Sequence, residues 1–97
     1  MAQIIYSDEA FIDFERIVDF LLESSPEHAA ETLQNIRSAI NILDAHPLIG
    51  RRVDANIREL VISWGETGYL ALYRFDAAID IVRVLRIRQQ REAGYTE

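Results

Sequence analysis

The hydrophobic residues change their spacing once along the chain, and this change limits the fold more than any other feature. Apolar residues recur every three or four positions between Phe11 and Leu43, which is the period of an amphipathic helix. From Ile57 onwards the chain consists of short β-branched and aromatic runs separated by turn residues, which is typical of strands. A helical first half followed by a strand-rich second half indicates an α+β fold.

Two helices are predicted within the first half. The first begins after Ser7, a good N-cap, and Asp8 and Glu9 follow where the helix dipole favours negative charge. The second begins at Ser25 and Pro26, because proline is favoured at the first helical position. Since only a short break separates the two helices, we expect an antiparallel helical hairpin. Four residues form the expected core face of the first helix: Phe11, Phe14, Val18 and Leu21. Five residues form that of the second: Ala29, Leu33, Ile36, Ile40 and Leu43.

Three strands are predicted over residues 58–64, 69–75 and 79–88, and a further short strand over residues 2–6 precedes the helices. This order predicts a β-αα-βββ fold, in which the N-terminal helical hairpin packs on a mostly antiparallel four-stranded sheet. The whole chain, residues 1–97, is expected to form a single domain, since its length suits one and its composition shows no break.

The sheet face that the helices leave open is a candidate binding surface. Strict alternation places four residues of the last strand on that face: Val82, Val84, Arg86 and Arg88. Arg83 has the opposite parity and is expected on the other face, beside Ile81, Leu85 and Ile87. A surface that mixes apolar residues with arginines indicates recognition of a partner.

The charge is distributed unevenly between the two halves of the chain. Residues 1–50 contain two arginines and nine acidic residues, whereas residues 51–97 contain eight arginines and seven acidic residues. All of the basic charge is arginine, whose planar fork binds carboxylates and phosphates through paired hydrogen bonds. The net charge of −6 argues against nonspecific binding of nucleic acid, and no direct, specific nucleic-acid binding by this chain alone is expected.

Several other classes of protein are disfavoured by the composition. The absence of cysteine excludes a disulfide framework and a thiolate metal site. No apolar run approaches the ~20 residues that span a bilayer, and the N-terminus lacks the basic region of a signal peptide, so a cytoplasmic location is the default expectation. His28 and His46 lie near helix ends without a second ligand at metal-binding spacing. We therefore expect neither a metal nor another cofactor.

Five segments, taken together and in this order, resemble the ParE branch of the ParE/RelE toxin superfamily. They are residues 25–29 in the hairpin, the loop 46–51, the strand 58–61, the segment 68–74 and the closing run 81–92. The likeness covers essentially the whole chain. It implies the β-αα-βββ fold and a type II toxin of the plasmid-stabilisation kind, with a cognate ParD-like antitoxin encoded beside it. ParE-like members are associated with inhibition of DNA gyrase, whereas RelE-like members cut messenger RNA at the ribosome.

The resemblance implies gyrase inhibition, and the residues disfavour RNA cleavage, although they leave the enzymatic alternative open. A ribonuclease without a metal needs a general base, a general acid and cations on the phosphate. Leu70 stands where the nucleases often have arginine, and Gln89 stands where related sequences often have histidine. Tyr95 could supply the C-terminal tyrosine of a RelE-type ribosome-dependent endoribonuclease. A further alternative is an inactive or regulatory toxin homologue.

Two sets of candidate site residues follow from the resemblance and the pattern. The candidates for target binding are arginines of the sheet and tail with one tyrosine: Arg51, Arg58, Arg86, Arg88, Arg91 and Tyr95. A disordered antitoxin segment is expected to fold across the hairpin and the sheet. The candidates for antitoxin binding are surplus apolar residues of the first helix and residues of the last strand: Ile12, Ile17, Phe20, Val82, Val84 and Arg86.

Overall fold

The helices and strands follow the order that the hydrophobic pattern predicts. The computed structural model describes residues 1–64 and 67–89. The elements are β1 (Gln3–Tyr6), α1 (Asp8–Ser24), α2 (Ala29–Asn41), β2 (Arg51–Arg52), β3 (Arg58–Trp64), β4 (Thr67–Asp76) and β5 (Ile81–Gln89). One turn of 3-10 helix lies on either side of α2, at Pro26–His28 and Ile42–Asp44.

Over the described residues the sheet has five strands in the order β1-β5-β4-β3-β2, one more than the four expected. Arg51 and Arg52 form the additional strand β2 by pairing with Glu59 and Arg58. A strand of two residues is too short to show an alternation in the sequence, which is why the pattern missed it. β1 runs parallel to β5, and the other neighbouring strands are antiparallel. The α+β class and the β-αα-βββ order are therefore confirmed.

The two helix starts differ in how closely they follow the sequence. The N-cap at Ser7 is confirmed, because its hydroxyl oxygen accepts a hydrogen bond from the backbone N–H of Ala10 at 3.0 Å. Pro26, by contrast, begins the 3-10 turn, and α2 itself begins three residues later at Ala29. The Ser25 side chain makes no capping hydrogen bond. Proline thus fixes where the second helical segment begins, but its first turn is wound more tightly than an α-helix.

The buried face of α1 differs from the expected one. Four residues of α1 are buried: Ala10, Asp13, Ile17 and Leu21. Phe14 and Val18 are only partly buried, and Phe11 is exposed. The aromatic residues therefore do not decide how the helix is rotated. Asp13 does, because its carboxylate binds β5 and turns this side of the helix inward.

The core lies between the helical hairpin and one face of the sheet. The fully buried sheet residues are Ile62, Tyr69, Ala71, Tyr73, Val82, Val84 and Ile87. Of the five apolar residues expected to face the core from α2 and its continuation, Leu33 is partly buried against the core and the others are buried: Ala29, Ile36, Ile40 and Leu43. The face that the second helix presents is therefore confirmed, and no helix within residues 1–64 or 67–89 covers the opposite face of the sheet.

A β-bulge in β5 changes which residues lie on each face. Tyr73 pairs with Val84, but its neighbour Leu72 pairs with Arg86, so Leu85 is an extra residue in the strand. The extra residue reverses the alternation. The expectation that Val82 and Val84 lie on the open face is therefore wrong, since both are fully buried in the core.

Arg83 lies on the other side of the sheet from its expected position. It is paired with Arg74, whose strand neighbours Tyr73 and Phe75 belong to the core side, so Arg74 and Arg83 lie on the open face. Because of the bulge, this is the same face that Arg86 and Arg88 occupy. The period of two holds on each side of Leu85 but not across it, so the face expected for the residues before Leu85 is wrong and the face expected for Arg86 and Arg88 is right.

Candidate binding face of the sheet

The open face is identified by the strand register, since directly paired residues point to the same side of a sheet. One row across four strands consists of Arg51, Glu59, Leu72 and Arg86. A second row consists of Val61, Leu70 and Arg88, and a third of Arg74, Arg83 and Ile5. The face thus combines five arginines with apolar residues. The sequence predicted this mixture, but the apolar residues are not the predicted Val82 and Val84.

Arg86 is held by an acidic residue of α1. Its Nε donates to Oδ2 of Asp13 at 2.7 Å, and its Nη2 donates to Oδ1 at 3.0 Å. The backbone N–H of Ile87 donates to the same Oδ2 at 3.0 Å. The Asp13 side chain is 3% exposed and that of Arg86 is 33% exposed. This bidentate pair fixes the guanidinium at the edge of β5.

The contact with Asp13 compensates for a missing strand. β1 ends at Tyr6, opposite Val84, so beyond that point the edge of β5 has no neighbouring strand from the described residues. Ser7 donates its N–H to the carbonyl of Val84 and its hydroxyl to the carbonyl of Leu85, each at 2.9 Å. Asp13, six residues after Ser7, accepts the N–H of Ile87. The start of α1 therefore satisfies backbone groups that would otherwise lack partners.

The electrostatics of this contact favour the ionised pair. Burial alone would raise the pKa of Asp13, but the hydrogen bonds from Arg86 and Ile87, with the charges of Arg86 and Arg88, outweigh it and lower the pKa. The hydrogen bond to Asp13 in turn raises the pKa of Arg86. At neutral pH the carboxylate and the guanidinium are both charged, so Arg86 is chiefly a structural residue in the free chain.

Arg51 and Arg58 also have partners within the chain. Arg51 forms an ion pair with Glu59 at 2.8 Å. Arg58 lies on the core-side register opposite Tyr73, and its Nη1 donates to the carbonyls of Leu48 and Gly50 at 3.1 and 2.8 Å. Arg58 therefore anchors the loop before β2, and it does not lie on the open face.

The same loop is fixed from the core side by Tyr73. The backbone N–H of Gly50 donates to the Tyr73 hydroxyl at 2.8 Å. Burial raises the pKa of Tyr73, and the Gly50 hydrogen bond and the charge of Arg58 only partly oppose it. A Cβ atom on Gly50 would lie 2.6 Å from the tyrosine ring and hydroxyl and 2.9 Å from the carbonyl oxygen of Glu59. Only glycine fits this close approach of backbone and ring.

Three arginines of the open face form no hydrogen bond or ion pair within the described part of the chain, although the charge of Arg88 acts on Asp13. Arg74 and Arg83 make no hydrogen bond or ion pair with residues 1–64 or 67–89, and neither does Arg88. The candidates Arg91 and Tyr95 lie outside the described residues. Of the predicted target-binding arginines that are described, Arg88 alone combines a place on the open face with an unpaired guanidinium.

The candidate antitoxin residues of α1 separate into a surface pair and a core residue. Ile12 and Phe20 are 54% and 51% exposed, as a docking surface requires. Ile17 is 5% exposed and belongs to the core, although it also lines the floor of a surface pocket that Phe20 borders. The buried face of α1 passes through Ile17 because Asp13, four residues earlier, points to β5. Two further exposed residues extend the apolar surface: Phe11 and Leu22.

Groups suited to acid–base or metal chemistry are scarce on the open face. Tyr69 and Tyr73 point into the core, and burial raises the pKa of both. His28 and His46 lie in the helical half, as expected. Across residues 1–64 and 67–89 no three His, Cys, Asp or Glu side chains are grouped as a metal site. No helix in the same ranges is long and apolar enough to cross a membrane.

Three residues that define the face were not among the candidates from the sequence: Asp13, Arg74 and Arg83. A signal for Asp13 is present, because Asp13 shares the helical stripe of Ala10 and Ile17 and so lies among core positions. The signal for the bulge is the shift of apolar residues from Val84 to Ile87, which breaks a period of two. The position of Arg83 on the open face follows once the bulge is recognised.

Comparison with known proteins identifies the family of this chain. The family model described as "ParE toxin of type II toxin-antitoxin system, parDE" matches residues 4–94. The chain therefore belongs to this family of type II toxins, within the ParE/RelE superfamily. Toxin RelE3 of Caulobacter vibrioides is 35% identical over 80 residues, which cover 82% of this chain and 85% of that protein. Toxin RelE1 of the same organism is 29% identical over 89 residues, which cover 91% and 96%.

Solved structures share the fold at low sequence identity. A chain from the chromosomal ParDE system of P. aeruginosa superimposes with a TM-score of 0.76 at 22% identity, covering 92% of this chain and 96% of that one. A chain from the intact E. coli RelBE toxin–antitoxin complex gives a TM-score of 0.66 at 11% identity, covering 91% and 95%. At these identities the likeness establishes the fold alone.

Proposed function

We propose that this chain is a toxin that inhibits DNA gyrase by binding it, and that a cognate ParD-like antitoxin neutralises the toxin in the cytoplasm. The observation that carries the proposal is the match of the ParE toxin family model to residues 4–94. Gyrase as the target comes from that family and not from the geometry of a site, so the target is the part of the proposal that most needs a direct test.

The chemistry of the open face supports a binding role. Metal-free cleavage of RNA needs a base for the 2′-hydroxyl and an acid for the leaving oxygen. Among the described residues, the open face contributes neither a histidine nor a tyrosine, and the carboxylate of Glu59 is paired with Arg51. Arg74, Arg83 and Arg88 can form hydrogen bonds to an anionic partner, but a guanidinium does not exchange protons near neutral pH.

The surface of α1 supports an antitoxin as a second partner. Phe11, Ile12, Phe20 and Leu22 are all exposed, so the helix is apolar outside its core face as well as on it. Large apolar side chains that are exposed on a helix surface are candidates for burial by a partner. A disordered segment that folds onto this surface would bury it and would cover the toxin without requiring a preformed partner surface.

A second candidate function, cleavage of messenger RNA at the ribosome, is favoured by the names of relatives. The two Caulobacter vibrioides relatives are called RelE toxins. Under this alternative the arginines of the open face would hold the RNA phosphates, and Arg51, Arg58 and Tyr95 would be the first residues to test. An inactive or regulatory homologue is the remaining alternative, and it would cause no growth defect when expressed without its antitoxin.

The decisive experiment is gyrase supercoiling of relaxed plasmid, titrated with the purified toxin in the presence and absence of the antitoxin. We expect inhibition or trapped double-strand breaks that excess antitoxin reverses. Arg88→Gln should weaken inhibition, whereas Arg37→Gln removes the same charge from the exposed surface of α2 and should not. Unchanged supercoiling at toxin concentrations well above that of gyrase would contradict the proposal. Cleavage of messenger RNA in a ribosome-containing translation assay would then establish the alternative.

A further inference from the structure

Two arginines of the open face are directly opposite each other on neighbouring strands. Arg74 of β4 pairs with Arg83 of β5, on the side of the sheet away from the helices. Arg74 is exposed and Arg83 is partly exposed. Neither side chain has a hydrogen-bond or ion-pair partner among residues 1–64 and 67–89. The carboxylate of Asp76, two residues further along β4, accepts the N–H of Ala78 at 3.2 Å through its Oδ1.

This arrangement is unfavourable for the chain by itself. Like charges directly opposite each other on antiparallel strands repel and destabilise the sheet. The neighbouring arginines show how the chain compensates such charges elsewhere, since Arg86 is bound to Asp13 and Arg51 to Glu59. A local conflict without compensation inside the chain is typical of a site that binds a ligand.

We infer that Arg74 and Arg83 form a carboxylate-binding site that takes an acidic side chain of the antitoxin. Two guanidinium forks on adjacent strands can donate to one carboxylate from both sides, which would remove the repulsion between them. The inference rests on the proposed function, because it takes the partner of this surface to be the antitoxin. Beyond that function, the inference names the toxin residues of one contact with the antitoxin and the chemical group that they bind.

The surroundings of the pair favour a protein carboxylate over a nucleic-acid phosphate. Leu72 and Leu70 follow Arg74 on the same face of β4, and Val61 lies beside Leu70 on β3. Surfaces that bind nucleic acid are far more uniformly positive than this mixture, and the chain as a whole carries a net charge of −6. Arginine among apolar residues is the composition of a protein interface.

The spacing of the face also describes the binding segment. Positions 70, 72 and 74 are about 7 Å apart along the strand, since alternate residues are separated by two rises of about 3.3 Å. An antitoxin segment that places an acidic residue at Arg74 and Arg83 would place apolar residues over Leu72 and Leu70. The inference therefore specifies an acidic residue next to an apolar stretch.

The test is the affinity of the full chain for its cognate antitoxin, measured by titration calorimetry at salt concentrations of about 50, 150 and 500 mM. Contacts between charges weaken as the salt concentration rises, so this series separates them from apolar contacts. The double variant R74Q/R83Q should bind about 10- to 100-fold more weakly at 150 mM salt, the loss expected for charge-assisted hydrogen bonds. The same variant should be as stable to heat as the wild type, or more stable, because the repulsion is removed. A gain or retention of stability with a loss of affinity distinguishes a binding site from a structural role.

Two control variants separate the paired contact from bulk charge. Arg52→Gln removes a charge from the edge strand β2, where the guanidinium donates to the carbonyl of Ala55 at 3.3 Å, and should change affinity by less than about twofold. R74K/R83K keeps both charges but loses the fork geometry, and its affinity should lie between those of wild type and R74Q/R83Q.

Several outcomes would overturn the inference. Affinity of R74Q/R83Q within twofold of wild type would do so, as would wild-type affinity in R74K/R83K or an equal loss in Arg52→Gln. Weaker binding of an RNA or DNA oligonucleotide by R74Q/R83Q with unchanged antitoxin affinity would assign the site to nucleic acid instead. Failure of the wild-type chain to bind the antitoxin would refute the proposed function, and this inference with it.

Discussion

Replacing Arg86 with methionine tests whether the pair with Asp13 stabilises the fold. The variant keeps most of the apolar volume of the side chain. It removes two of the three hydrogen bonds described for the Asp13 carboxylate, which is 3% exposed, and leaves the one from the N–H of Ile87. Removing one partner of a buried ion pair costs about 3–5 kcal/mol. Because Arg86 is 33% exposed, water compensates part of the loss, and we expect about 2–4 kcal/mol. For a domain of this size that corresponds to a fall in Tm of about 10–25 °C.

The loss of stability in Arg86→Met should also depend on pH, which tests this prediction in a second way. The pKa of Asp13 is lowered in the folded chain from its ordinary value of 3.8, so the pair contributes stability above that value. The contribution is lost as the pH falls through the lowered pKa. Without Arg86, burial would dominate and raise the pKa of Asp13, so protonation would stabilise the variant in acid. The deficit of Arg86→Met should therefore be largest near pH 7 and shrink towards pH 3.

The assay is urea unfolding followed by circular dichroism at several pH values. Arg83→Met is the matched control, because it removes an arginine of the same strand that has no partner in the described residues. The control should change the free energy of unfolding by less than about 0.5 kcal/mol, as surface substitutions usually do. A deficit for Arg86→Met that equals the control, or one that does not vary with pH, would refute the argument.

Two further perturbations test the loop and the helix. Gly50→Ala should lower the free energy of unfolding by about 1–3 kcal/mol, since its Cβ would lie 2.6 Å from the Tyr73 ring; an unchanged Tm would show that the loop can move away. Ile17→Asp should destabilise the free chain by about 3 kcal/mol or more, because it buries a charge, whereas Phe20→Asp should leave Tm nearly unchanged and weaken antitoxin binding. Similar Tm values for both variants, or unchanged antitoxin affinity for Phe20→Asp, would contradict the assignment of one residue to the core and the other to the surface.

The order of elements could be predicted because it follows from local chemistry. The cap at Ser7, the proline at Pro26 and the change of apolar period each act within a few residues. The cap and the period have their expected effect, and the proline begins the second helical segment, although as a 3-10 turn. The family match supports the same order. The two-residue strand β2 could not be predicted, because only its pairing with Arg58 and Glu59 defines it.

The rotation of α1 could not be inferred from hydrophobicity alone. Phe11 and Phe14 are the strongest apolar residues at the start of the helix, yet the buried stripe passes through Asp13 and Ile17 instead. An aspartate in a helix is usually assigned to the solvent side, since an unpaired buried carboxylate is highly unfavourable. Asp13 is buried because β5 offers a guanidinium and an N–H beyond the end of β1, a long-range contact that no local pattern contains.

The bulge at Leu85 explains how one strand can supply both core residues and three arginines of the open face. Strict alternation from Val82 and Val84 would place Arg86 and Arg88 in the core and leave Ile87 outside. One extra residue returns Ile87 to the core and moves both arginines to the face that Arg83 already occupies. Asp13 then holds the strand just after the bulge, at Arg86 and the N–H of Ile87. Loss of this contact should therefore disturb the placement of Arg88 as well as the stability of the fold, which couples the structural arginine to the surface that we propose binds partners.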